Sequence, residues 1–311
     1  MGGHETSVWL GFTLLVGGLL FLDLGVLNRR AHVLTFKEAM SWSLGLIALA
    51  HVFGLFVLWR EGMQPALEYY TGYLIELSLS VDNLFVFILI FQYFAVPAEA
   101  QPKVLKWGIL GAIVMRLVMI ALGALLLERF HWIIYVFGGI LIFTGIRMLL
   151  QKEEHIEPER NPVVRLARRL LPFTSAYNNA SFFCRTIQGK VLATPLLLVL
   201  IVVEWSDLVF AIDSIPAIFA ITRDPFLVYS SNVFAILGLR ALFFVIAGMM
   251  DKFVYLKPGV AIILMFVGVK MLGSPWVTIP TLLSLGVVVG ILATAVALSL
   301  RRSAREERFA A

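Results

Sequence analysis

The sequence predicts an all-α, polytopic transmembrane helix bundle of about nine spans, and three observations carry that prediction. Apolar residues make up 60% of the 311 and charged residues only 14%, against roughly 45–50% and 25% in soluble domains; the mean hydropathy is +0.92. Mainly apolar runs of about 20 residues, the length that crosses a hydrocarbon core, recur along almost the whole chain. The basic residues, which give a net charge of +5, collect in alternate connections between these runs and at the C-terminus. That pattern fits an anionic membrane face and excludes a nucleic-acid partner.

The spans are expected at 7–27, 39–60, 66–94, 103–127, 131–149, 193–221, 226–250, 257–273 and 277–299. The first has neither a basic n-region nor a small-residue cleavage site, so it reads as a retained span and not a signal peptide. Between the fifth and sixth lies the only long polar segment, rich in Glu and Arg, in which "VVRLARRLLP" has the pattern of a short amphipathic surface helix. The chain divides accordingly into a two-span segment 1–65, a three-span unit 66–150, a linker 151–192, a second three-span unit 193–273, and a last span with a basic tail 274–311. Arg29, Arg30 and Lys37, then Lys103 and Lys106, the Arg-rich linker, Lys252 and Lys257, and finally Arg301, Arg302, Arg305 and Arg308 occupy one set of connections. The opposite set holds Arg60, Arg129 and Arg223. The Lys/Arg bias therefore predicts a bacterial-type inner-membrane protein with its N-terminus outside and its C-terminus and linker cytoplasmic.

The two three-span units resemble each other. "ELSLSVDN" (Glu76 to Asn83) aligns with "DLVFAIDS" (Asp207 to Ser214), "GAIVMR" ending at Arg116 with "AILGLR" ending at Arg240, and "FTGIRML" ending at Leu149 with "FVGVKML" ending at Leu272. Three is an odd number of crossings, so the copies are expected to run in opposite directions. Inverted repeats with a substrate site near the midplane are a recurring plan of secondary transporters.

A charged side chain at bilayer depth costs about 2.5–3.5 kcal/mol even on the lenient insertion scale. Six acids are placed there: Asp23, Glu76, Asp82, Glu204, Asp207 and Asp213, against two deep bases, Arg116 and Arg240. Lys270 falls near the outer end of its span, where it can snorkel. Internal pairing cannot neutralise the acids, so a bound cation or protons must supply the balance. Carboxylates with Asn83, Ser78, Ser80, Ser206 and Ser214 offer hard oxygen donors, which suit Mn²⁺, Mg²⁺ or Ca²⁺ better than Zn²⁺ or Cu⁺. Glu76 and Asp82, six residues apart, are about 240° apart on a regular helix. Either the helix is broken, or the acids serve successive sites. Pro216 favours a break, because it frees the carbonyl of Ile212 beside Asp213.

Each residue also has a plainer reading. Asp23 and Glu204 can simply pair with a span arginine to lock helices together, a reading that the repeat weakens for the other four acids. Arg116 and Arg240 read as structural counter-ions, and His51, the one histidine within a span, as a hydrogen-bonded packing residue. The Phe-rich stretches read as packing or lipid-facing surface. Cys184 is the single cysteine, so neither an internal disulfide nor a thiolate cluster can form.

The strings "FLDLGVLNRRAHVLTFKEA", "ALEYYTGYLIELSLSVDNLFVF", "WGILGA", "FFCR", "TPLLLVLIVVEWSDLVFAIDSIPAIFAITRDPF" and "SNVFAILGLRALFF" resemble the TerC family of bacterial integral membrane proteins, within the LysE-like transporter group. The likeness covers nearly the whole chain and is strongest to the Alx-like branch. It implies manganese export, with a historical link to tellurite resistance. It also implies that Asp23, Glu76, Asp82, Asn83, Glu204, Asp207, Asp213 and Ser214 form the binding or conduction site. Leu77 stands where the family often has lysine, and Ser206 where threonine is common; neither departure removes a carboxylate.

The expectation is thus a divalent metal-ion transporter, with no resident cofactor, that moves cytoplasmic Mn²⁺ outward. Protons compete with metal for buried carboxylates, which makes them candidate coupling ions; uniport is the other arrangement. The alternative reading is a membrane-protein assembly factor that translocates nothing. An intramembrane aspartyl protease lacks support, since Tyr-Asp, Gly-x-Gly-Asp and His-Glu-x-x-His strings are all missing. The oligomeric state is left open.

Overall fold

The computed structural model describes residues 6–22, 35–130, 132–150, 162–174, 176–185, 190–248, 255–277 and 279–310; within these, the side chains of Asp82, Phe85, Pro162, Val163, Asp213 and 303–310 lie outside the description. Asp23 also falls outside the described residues. The elements are α1 (Thr6–Leu20), α2 (Phe36–Glu61), α3 (Met63–Tyr93), α4 (Gln101–Arg129), α5 (Ile133–Leu150), α6 (Pro162–Leu170), β1 (Phe183–Arg185), β2 (Val191–Ala193), α7 (Pro195–Phe219), α8 (Pro225–Leu237), α9 (Leu239–Ala247), α10 (Leu256–Gly273) and α11 (Thr281–Ala310).

Seven of these helices are long and apolar enough to cross a membrane, and α8 with α9 makes an eighth if the bent pair is one span. The expected first span appears as α1 over its described residues, and its predicted end, 23–27, lies outside them. The chain is therefore a polytopic helical membrane bundle. Its linker holds the expected amphipathic helix as α6. It also holds an antiparallel pairing of β1 with β2, which the all-α expectation omitted.

Local chemistry sets the element ends. Thr35 caps α2: its backbone N–H donates to Glu38 Oε2 at 2.9 Å, and Glu38 N–H donates to Thr35 Oγ1 at 3.4 Å, the reciprocal capping box of a T-x-x-E sequence. Gly62, at φ +94°, takes a backbone conformation that side chains resist and turns α2 directly into α3. A break was expected at Pro216, but α7 runs through it to Phe219. The proline sits in the last turn of α7, where one missing N–H costs a single bond and little remains to be kinked. The bend falls instead at Gly238, where α8 and α9 meet at 43°.

The helix α3 is the hub, with three-quarters of its most apolar stretch buried; α8 packs on it and is buried at every position from Phe226 to Leu237. An aromatic cluster ties α1 and α2 to this centre: Phe53 lies 4.9 Å from Phe234, and Trp9 lies 5.2 Å from Phe226, between ring centroids. In lipid, helices associate through close packing and not through hydrophobic exclusion, which favours small residues at crossings. The pair α5 and α10 follows that rule. A Cβ on Gly145 would lie 2.8 Å from the Ala261 carbonyl and 2.6 Å from Met265. A Cβ on Gly268 would lie 2.8 Å from both the Gly138 carbonyl and Ile142. Rising numbers on α5 meet falling numbers on α10, so the two are antiparallel.

Candidate functional site

Apolar residues surround the centre of α3, so polar groups buried there must find one another. Glu76 on α3 and Arg116 on α4 are both fully buried and form an ion pair. Arg116 Nη1 also donates to Ser214 Oγ at 2.8 Å, and Nη2 lies 3.6 Å from Asp207 Oδ1. Asp207 and Ser214 are seven residues apart on α7, two turns that bring them back to nearly one face. A single planar guanidinium therefore spans two levels of α7 while holding α3, a geometry lysine cannot reproduce.

The arrangement is under-neutralised. Two buried carboxylates face one guanidinium, and Glu76 Oε2 and Asp207 Oδ2 have no hydrogen-bond partner among the described residues. Nearby, Ser80 Oγ and Asn83 Nδ2 are buried and unpartnered too. Glu204 lies one turn from Asp207 on α7, half-buried, with its carboxylate laid on the bare backbone of Gly111, where a Cβ would collide with it. A narrow cleft reaches Asp207 between Phe87, Gly108, Ala112, Val203 and Leu239. Its walls are apolar, so Asp207 is the charged group at its lining.

The eight expected site residues thus divide. Glu76, Asp207 and Ser214 converge on Arg116, Glu204 flanks them, and Asn83 is buried seven residues beyond Glu76 on α3. Asp23 and the side chains of Asp82 and Asp213 lie outside the described residues. Among the described residues no three His, Cys, Asp or Glu side chains converge as a ready-made metal cage. The helix α3 is unbroken from Met63 to Tyr93, so neither acid-bearing helix has the break that would bring residues six apart onto one face. Of the two arrangements left open by spacing, a broken helix is not the one adopted.

Two other expectations are resolved. His51 contacts the Ile47 carbonyl through Nδ1 at 2.8 Å and lies against Tyr70 and Tyr73; it is hydrogen-bonded as expected, but exposed and not packed inside the bundle. Lys270 does not simply snorkel; it donates to Ser284 Oγ on α11 at 2.9 Å. One residue escaped the sequence reading. Asn232 on α8 is fully buried, and both ends of its amide are unpartnered among the described residues. A polar amide inside an apolar run was the available sign, but the search concentrated on charge.

Residues 61–307 match the model of the "Integral membrane protein TerC family". The chain is 51% identical over 298 residues to "Uncharacterized membrane protein STKORF319" of Myxococcus xanthus, covering 96% of this chain and 93% of that one. It is 49% identical over 294 residues to "Putative membrane-bound redox modulator Alx" of Escherichia coli strain K12, covering 92% and 91%. A membrane protein of Rickettsia bellii is 40% identical over 284 residues, covering 91% and 94%. No solved structure matches. With a family match across most of its length and relatives this similar end to end, the chain belongs to the integral membrane protein TerC family.

Proposed function

We propose that this protein is a secondary transporter of divalent cations in a bacterial inner membrane, with Mn²⁺ the ion to test first and the cytoplasm the side it leaves. The observation that carries the reading is the unbalanced centre: Glu76 and Asp207, on separate helices and away from lipid, share Arg116 and keep one oxygen each without a partner among the described residues. Anionic oxygen in a low-dielectric interior draws a cation. Carboxylate, amide and hydroxyl donors favour a hard one. A cation arriving through the cleft beside Asp207 competes with the guanidinium for the same oxygens. Binding and release of the arginine are thereby coupled, and protons can enter the same competition.

The reciprocal glycine contacts support a two-fold relation between the repeats. In the register that aligns Gly145 with Gly268, Gly138 aligns with Ala261 and Ile142 with Met265. The contacts of Gly145 with α10 then mirror those of Gly268 with α5. A crossing of this kind is a suitable pivot for two inverted three-helix units that rock about a fixed site. The acids six apart on unbroken helices then serve successive positions along the path.

Purified protein in liposomes loaded with a Mn²⁺-quenched dye tests the reading. Wild type should carry Mn²⁺, and Glu76→Gln and Asp207→Asn should slow it about 10–100-fold, the usual scale for losing a group at a metal site. Wild-type vesicles no faster than empty ones would sink the proposal and favour a non-transporting assembly role.

A further inference from the structure

We propose that Asn232 forms a second, neutral station for the transported cation, on the far side of the Arg116 centre from the Asp207 cleft. This rests on the transporter reading above and adds a residue to its path. The position follows from two neighbours. A Cβ on Gly72 would lie 3.1 Å from Ser231 Oγ and 3.4 Å from Ile218, so residue 231 of α8 sits where Gly72 and Ile218 come together. Gly72 is one turn before Glu76 on α3, and Ile218 is one turn after Ser214 on α7. The cleft lies the other way along both helices, toward Phe87 on α3 and Val203 on α7. Asn232, next to Ser231, therefore stands beyond the arginine.

Its chemistry suits a stopping place and not a lock. Buried amides that hold helices together do so through hydrogen bonds across the interface, and Asn232 makes none among the described residues. Ser230 and Ser231 spend their hydroxyl protons on the carbonyls of Leu227 and Val228, at 3.3 and 3.1 Å, so their oxygens also keep lone pairs. A partly hydrated divalent cation satisfies both ends of the amide: Oδ1 ligates the metal, and Nδ2 donates to a metal-bound water. Having no charge, the station binds weakly. Conduction needs that, because a second carboxylate site would hold the ion instead of passing it on.

A structural asparagine and a functional one respond differently to Asn232→Leu, which keeps the size and removes the amide. Removing an unpartnered buried polar group leaves stability unchanged or raised. The expected result is therefore a thermal midpoint in detergent at or above wild type, with Mn²⁺ flux in proteoliposomes slowed about 10–100-fold. Asn232→Gln, which restores a neutral carbonyl donor, should recover part of that flux. An Asn232→Leu protein that carries Mn²⁺ at the wild-type rate overturns the station and leaves the transporter reading intact. So does one that has lost stability, since the amide is then a packing group, and so does an Asn232→Gln protein as slow as Asn232→Leu. Wild-type vesicles that carry nothing overturn both.

Discussion

Arg116 has none of its surface exposed and is bonded to side chains of two other helices; at residue scale it is the group on which the site turns. Removing one member of a buried ion pair strands the other, at a cost of about 3–5 kcal/mol. Arg116→Gln is therefore expected to destabilise the protein by that order, and more than Glu76→Gln, because it strands two carboxylates where the other strands one guanidinium still facing Asp207. Chemical unfolding in detergent should show the double variant less damaged than the sum of the singles, the sign of direct coupling. Gly111 makes the opposite case. The nearest atoms an added Cβ meets all belong to the movable end of Glu204, while alanine gains about 1 kcal/mol of helix propensity. Gly111→Ala should thus keep or raise the thermal midpoint but displace the Glu204 carboxylate and lower Mn²⁺ flux in vesicles. At this scale the acids were legible, because a carboxylate in an apolar run needs a partner or a ligand. Their pairing was not. Arg116 lies 40 residues from Glu76 and 98 from Ser214, and only the crossing of α3, α4 and α7 decides which base reaches which acid.

Helices are the scale at which the sequence spoke most plainly. Apolar length alone located α2, α3, α4, α5, α7, α10 and α11, since in lipid a helix must satisfy its own backbone. What length could not give was shape. Pro216 read as a breaker but falls in a final turn, while the 43° bend between α8 and α9 comes at Gly238, a glycine that nothing in its apolar run sets apart. The strands β1 and β2, three residues each, are too short to show a period. The crossing of α5 and α10 was visible only as aligned strings, yet it yields a sharp test. Gly145→Ala and Gly268→Ala each drive a Cβ to 2.8 Å from a backbone carbonyl, which can be relieved only by parting the helices. A cost of about 1–3 kcal/mol is expected for each. Gly139→Ala, on the same helix with nothing within 4 Å, should instead stabilise by about 0.5–1 kcal/mol. If thermal midpoints of the three variants fall together, the crossing is not the close contact described.

For the whole molecule the question is which way it faces. The described structure gathers the basic connections at one end. Lys103 lies over the Phe182 ring of the linker at 4.8 Å, and Tyr177 of the linker donates to the Phe94 carbonyl at 2.7 Å. The linker thus docks where α3 ends and α4 begins. Because α5 and α10 are antiparallel, the start of α10 lies at that same end, and there Arg302 reaches the Tyr255 ring at 5.9 Å. At the other end Gln64 donates to Thr281 Oγ1 at 2.9 Å, joining the starts of α3 and α11. On the Lys/Arg bias, the first end is the one we propose to be cytoplasmic. The chain's single cysteine, Cys184, sits in β1 at that end, partly exposed and free, and so reports the orientation without engineering. A membrane-impermeant maleimide should leave Cys184 unlabelled in intact cells or spheroplasts and label it once the membrane is opened. In a Cys184→Ser background, Met63→Cys, 63% exposed at the start of α3, should give the reverse: labelling from outside without permeabilisation. Labelling of Cys184 in sealed spheroplasts would turn the molecule over and place the linker outside.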